Sequence, residues 1–251
     1  MPKNVLDGLV MTARAGFITR KIWLEFYSHN DIYIAKQQIN RLLIKGYLLP
    51  HPNPIAKSAL VLSQSGKDFL YSRLGSFYSA PSAGQLIHDE YILRSVLRLA
   101  NDGVIANFQF ENELQSAAVQ TKFASPKHKY SKYPDALFDI LVNGKPRKVA
   151  LEYERHRKSP ERYRDILWMY AAREDLFIII FVCETQAIFD SLKRQIRRIG
   201  GTELVNKIAL VRAQEWIDDP LKSSIQISKS VFLFGDICEV WQGTGMEKGV
   251  S

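Results

Sequence analysis

Residues 133–164, YPDALFDILVNGKPRKVALEYERHRKSPERYR, decide how the chain is organised. Asn143-Gly144 is the strongest short hairpin signal, because both central residues of a type I′ turn take positive φ. If these two residues form the whole loop, Val142 pairs with Lys145, and counting outward sets Asp135 opposite Glu152. If Pro146 forces a four-residue loop, Asp135 faces Glu154 instead. Side chains alternate along a strand, so either register keeps Asp135, Glu152 and Glu154 on one face. Facing carboxylates repel unless a cation sits between them, and a hard divalent ion with oxygen ligands is the economical choice.

C-terminal to the hairpin, Ser159-Pro160-Glu161 combines a cap, a proline at the first helical position and an acid in the first turn. The helix it starts, about 160–173, is expected to bury Tyr163, Ile166, Leu167, Tyr170 and Ala171. An apolar run at 176–182 suits a strand covered on both faces. A helix at 186–198 and a strand at 207–211 follow, an order that implies a right-handed parallel crossover. SIQIS and SVFLF read as short strands near the end, and no internal repeat is present.

On the N-terminal side, 85–100 is strongly periodic, with Leu86, Ile87, Ile92, Val96, Leu97 and Ala100 on one broad face and Gly103 as a stop. His88 and Glu90 lie in its first turns. They are either accessory metal or proton-transfer groups or surface residues of the kind favoured at a helix start. A strand is expected at 104–110, closed by Glu111 and Glu113 in a loop or the start of a turn. The aperiodic stretch 115–130, with Lys122, Lys127, His128 and Lys129, reads as an exposed basic loop suited to phosphates, or as a solvated insertion.

The first eighty residues have a different pattern. Helical spacing marks 5–15, and Thr19 is a plausible N-cap for a helix at 20–27 that buries Ile22, Trp23 and Phe26. A third helix at 34–45 has Ala35, Ile39, Leu42 and Leu43 on its inner stripe and Lys36, Gln37, Asn40 and Arg41 on its outer one, with Gly46 placed to end it. Two short strands, 47–50 and 59–62, flank a Pro/Asn-rich tip containing Lys57, and a further helix begins near Gly66-Lys67. The small, polar stretch 75–84 has the composition of a linker.

Across 251 residues, 46% hydrophobic and 24% charged content is that of an ordinary soluble globular protein. The net charge of +8 and pI of about 9.4 favour a polyanionic partner. Cys183 and Cys238 have no CxxC spacing and the five histidines form no zinc pattern, so both cysteines read as reduced thiols. The N-terminus lacks an apolar signal-peptide core. The longest apolar run, 176–183, is far short of the roughly 20 residues of a membrane helix. A cytoplasmic protein with no membrane segment is expected.

Three helices and a two-stranded ribbon, with INRLLIKGYLLPH in the third helix and first strand, resemble a winged helix-turn-helix domain. That resemblance implies that Lys36, Gln37, Asn40 and Arg41 meet the major groove and that Lys57 sits on the wing. The second half, with Pro134-Asp135 at the start of one strand and Glu152-Tyr153-Glu154 at the end of its partner, resembles the PD-(D/E)XK nuclease superfamily and its αβββαβ core. Together the halves resemble the plasmid replication-relaxation group and the small mobilisation relaxases of the MobC type. The resemblance implies an α/β (α+β overall) chain. Residues 1–78 would be a winged-helix DNA-binding domain, and 85–251 a restriction-endonuclease-like domain with a mixed central sheet.

The activity implied is metal-dependent nicking of supercoiled plasmid DNA at a transfer origin, alongside accessory mobilisation proteins. Asp135, Glu152 and Glu154 would hold Mg²⁺ or Mn²⁺, with Glu154 also able to accept a proton. Where the superfamily pattern has lysine this sequence has Glu154, so the cation must come from elsewhere: Lys158, Arg155, Arg157 and Arg162 are near in sequence and Lys132 lies three residues before Asp135, with Lys158 the choice among them. For a covalent step, Tyr130, Tyr133, Tyr153 and Tyr163 are equally near. No His-x-His occurs, which excludes the two-histidine relaxase pattern. Two other functions remain open: a non-catalytic DNA-binding replication initiator or repressor, and an endonuclease of restriction or transposition type.

Overall fold

The computed structural model describes residues 1–53, 56, 58–74, 77, 78, 81–120, 133–199 and 202–241. Lys57, Tyr130, Lys132 and the lysines of the expected basic loop lie outside these. The chain is mixed α/β and divides into two units, Met1–Arg94 and Ser95–Met246.

The first unit holds α1 (Lys3–Ala15), β1 (Ile18–Thr19), α2 (Arg20–Tyr27), α3 (Ile32–Ile44), β2 (Leu48–Pro50), β3 (Ala59–Leu62), α4 (Gln64–Leu74) and the start of α5 (Leu86–Asn101). Its three strands run in the order β1-β3-β2. The two-residue strand β1 is an addition to the expected elements, because two residues are too few to show any period. Thr19 does cap α2, accepting from the Ile22 N–H at 3.2 Å, and its hydroxyl donates to Glu90 at 2.9 Å. α3 begins two residues earlier than the apolar spacing suggests, because Asp31 accepts from the N–H groups of Tyr33 and Ile34. Ala35, Ile39 and Leu42 are buried as expected, while Gly46, at φ 70, lets the chain leave the helix. In α5, Ile87 is 46% exposed and does not join the inner face on which Leu86, Ile92, Val96 and Leu97 lie.

The second unit adds β4 (Ile105–Phe110), α6 (Glu111–Gln120), β5 (Ala136–Val142), β6 (Lys145–Glu154), α7 (Pro160–Ala171), β7 (Ile178–Cys183), α8 (Gln186–Ile199), α9 (Thr202–Lys207), β8 (Ile208–Arg212), α10 (Ala213–Asp218), β9 (Ser224–Ile227) and β10 (Ser230–Leu233). Seven strands form one sheet in the order β10-β9-β8-β7-β6-β5-β4. β6, β7 and β8 are parallel and the other pairings antiparallel, so the sheet is mixed. All six residues of β7 are buried, as a near-continuous apolar run in the middle of a covered sheet must be. Glu111 and Glu113 open α6 instead of lying in a loop. Glu113 accepts from the Phe110 N–H at 2.9 Å, and two acids complement the helix start.

Candidate functional site

The hairpin settles its own register. Asn143 and Gly144 take φ 51 and 68, and Val142 pairs with Lys145. The ladder ends at Ala136 opposite Leu151, so the next residue outward, Asp135, falls opposite Glu152. The two-residue loop is therefore the one adopted, and the four-residue alternative is not. Glu239, near the C-terminus, clamps the turn by accepting from the N–H groups of Asn143 at 2.6 Å and Gly144 at 3.1 Å.

Ala150, Glu152 and Glu154 alternate along β6 on the face that α7 covers, where Ala150, Tyr163, Leu167, Tyr170 and Cys183 share one apolar cluster. Glu152 is 1% and Glu154 0% exposed. A buried carboxylate survives only with partners, and both have them. The Tyr170 hydroxyl donates to Glu152 Oε1, and Lys158 Nζ donates to Glu154 Oε2. Burial first, and then the neighbouring Glu152 carboxylate, hold the Tyr170 hydroxyl well above its ordinary 10.0. The phenol therefore stays protonated and acts as a donor. Asp135 is oriented from the backbone, its Oδ2 accepting from the Tyr153 N–H at 2.7 Å. Tyr163, one heptad before Tyr170 on α7, turns its hydroxyl to accept from the Lys158 N–H at 3.3 Å, which fixes the segment that carries the lysine.

Lys158 is one-third exposed, so its amine joins the buried carboxylate to the surface. Around it Arg157, Arg162 and Arg164 are exposed, and Arg155 makes a long ion pair to Glu184 at 3.6 Å. Of the candidate nucleophiles, Tyr153 and Tyr163 are buried and Tyr133 is half-buried. His88 pairs with Asp89 and Glu90 with Thr19, all within the first unit.

Asp135 and Glu152 supply the oxygen donors that a hard divalent ion takes. Glu154 Oε1 is buried and has no hydrogen-bond partner among the described residues, the kind of polar atom that calls for an unseen partner. Even so, no three His, Cys, Asp or Glu side chains among the described residues gather closely enough to enclose an ion. Asp135 and Glu152 face each other as oxygen donors, while Glu154, the third carboxylate expected to hold an ion, is paired with Lys158.

Tyr170 and Glu239 are the contributors that reading the sequence overlooked. Tyr170 sits on the apolar stripe of α7 and looks like core. The signal was its hydroxyl, since a buried tyrosine needs a partner. Glu239 carried no signal, lying almost a hundred residues from the turn it clamps.

On α3, Lys36, Gln37, Asn40 and Arg41 are all exposed, flanked by Tyr33 at 72% and Ile44 at 85% exposure. No acid lies within the helix. No helix among the described residues is long and apolar enough to cross a membrane. No family model, curated protein or solved structure matches the chain.

Proposed function

We propose that the chain binds duplex DNA through a winged-helix first unit and nicks it at a nuclease-like site in the second, as a mobilisation relaxase of the plasmid replication-relaxation kind would. The observation that carries this reading is the hairpin register. An Asn-Gly turn sets Asp135 opposite Glu152 at the end of a mixed sheet, and the lysine missing from the strand returns four residues later at Glu154. The order α5, β4, β5, β6, α7, β7 also supports a restriction-endonuclease-like core, with α6 inserted after its first strand.

In this reading Asp135 and Glu152 hold Mg²⁺ or Mn²⁺, which supplies Lewis-acid polarisation of the scissile phosphate when bound. The chain's own groups do the rest. The Tyr153 N–H and the Tyr170 hydroxyl orient the two carboxylates, Glu154 steers the Lys158 amine, and that amine offsets negative charge developing on the phosphate. Arg155, Arg157 and Arg162 contact flanking phosphates. On α3, Lys36, Gln37, Asn40 and Arg41 face the duplex, and Arg41→Ala lowers the salt slope of binding by about 0.9 for one lost phosphate contact.

A second reading is a DNA-binding initiator or repressor that does not cut. The near-complete burial of Glu152 and Glu154 favours it, because each carboxylate already has a partner. Supercoiled plasmid incubated with the protein separates the two. Open circles that form with Mg²⁺ or Mn²⁺ and not with EDTA support cleavage, and binding without open circles supports the second reading. Nicking that ignores a transfer origin favours an endonuclease of restriction type over a relaxase.

A further inference from the structure

A second feature of the Ser95–Met246 unit lies away from the hairpin end. A cavity of about 240 Å³ opens between α8, α9, β8, β9 and the β9–β10 turn. It is roomy enough for one small organic group. Its floor is apolar, made by Ile196, Ile208 and Leu210, and its rim is cationic: Lys193 and Arg197, one turn apart on α8, and Lys229 from the β9–β10 turn. Among the described residues no carboxylate lines it.

Lys193 is held in place by a neutral partner, donating to Gln226 Oε1 at 3.0 Å, and its amine lies 5.9 Å from the Phe189 ring centroid. Its position is fixed and its charge is not cancelled. Arg197 and Lys229 are exposed and have no ion-pair partner among the described residues. Arg194 and Arg198 extend the cationic surface along the same helix. The one acid of α8, Asp190, accepts from Gln186 at 2.9 Å. Three like charges around a small opening are costly unless an anion neutralises them, and an apolar floor selects an anion with an uncharged body.

We propose that this cavity takes a nucleotide, with its phosphate at the Lys193–Arg197–Lys229 rim and its sugar or base edge on the apolar floor. The nucleotide belongs either to a single DNA strand, such as one freed by a nick, or to a free mononucleotide. The proposal rests on the nucleic-acid reading of the chain and does not require that the chain cut DNA.

The test is fluorescence anisotropy of a labelled dodecathymidylate with the full chain, titrated at several salt concentrations. Arg197→Gln/Lys229→Gln changes two exposed side chains and leaves the fold intact. It is expected to weaken binding about tenfold and to lower the slope of log K against log salt by about 1.4, at ~0.7 per single-strand phosphate contact. Lys222→Gln, which removes an exposed lysine paired with Asp219, leaves both quantities unchanged. Displacement of the probe by millimolar thymidine monophosphate assigns the site to a free nucleotide, and resistance to it assigns the site to the strand. Absence of oligomer binding, or equal affinity and slope in the double variant, overturns the proposal. Plasmid nicking is scored separately: a chain that does not nick but responds in this assay keeps the cavity and loses the nuclease, and the converse result does the opposite.

Discussion

Lys158 Nζ rests on Glu154 Oε2, four residues back in the chain, and Glu154 is the next inward-facing side chain after Glu152 on β6. A carboxylate with no exposure is thereby tied to a lysine that keeps a third of its surface in water. Removing the lysine strands the charge. Lys158→Met is expected to cost roughly 1–3 kcal/mol, less than the roughly 3–5 kcal/mol of a fully buried broken pair because the amine is partly solvated. Glu154→Gln/Lys158→Met should recover most of the loss. Urea unfolding with unchanged m measures both. A Lys158→Met variant as stable as the parent would mean that the pair is not formed.

The clamp on the hairpin turn is separable from the site. Glu239→Ala removes a carboxylate that accepts from two turn N–H groups, at 2.6 and 3.1 Å. The expected cost is about 1 kcal/mol, since both donors are solvent-exposed. Hydrogen exchange at Asn143 and Gly144 should accelerate, while exchange within β7 stays unchanged.

Much of this architecture is legible in the sequence. Asn143-Gly144 predicts the turn, because only a few residue pairs accept two positive φ values, while Pro146 leaves two registers open, of which the chain takes the one with Val142 opposite Lys145. Ser159-Pro160 predicts the start of α7 at the observed residue, and the apolar run of β7 predicts a strand covered on both faces. What was not legible depends on contacts between elements. β1 exists only because β3 pairs with it. The first turns of α6 are held by Glu113 folding back onto the Phe110 N–H. In the site, counting along the strands puts Asp135, Glu152 and Glu154 on one face and leaves Glu152 or Glu154 opposite Asp135, and it shows none of their partners. Tyr170 reaches Glu152 from a helix packed on the sheet, and α7 has to be docked before that meeting is visible.

Packing in the first unit makes its own prediction. A Cβ on Gly8 would lie 2.7 Å from the Trp23 ring, which is fully buried and whose Nε1 donates to Gln38 at 2.8 Å. Alanine at this position gains about 0.5–1 kcal/mol of helix propensity. Overpacking costs about 1–3 kcal/mol when the ring cannot swing away, so the clash wins. Gly8→Ala should lower the urea midpoint, and a midpoint equal to or above that of the parent would mean that the ring yields.

Stability should fall on the alkaline side. Burial raises the Tyr27 hydroxyl above 10.0 and pushes the Cys238 thiol from 9.0 up to about 12. The folded chain then keeps protons that the unfolded chain releases, so ν_U − ν_N is negative and stability decreases with pH. The contribution is complete below the unfolded value of 9.0 and is lost as pH rises toward about 12. Urea midpoints at about pH 6.5, 8 and 10.5 should be level between the first two and lower at the third. A midpoint that holds or rises at the third would contradict the burial of these groups.

We propose that Asp135 and Glu152 together carry metal-dependent cleavage. The most direct measurement compares nicking of supercoiled plasmid in Mg²⁺ or Mn²⁺ by the parent chain, Asp135→Asn and Glu152→Gln, each first shown to unfold cooperatively. Open circles are expected from the parent, with nicking lowered at least about a hundredfold in each variant, in line with the removal of a group that stabilises charge in the transition state. Equal nicking by parent and variants, or none from any of them, would rule out cleavage at this pair.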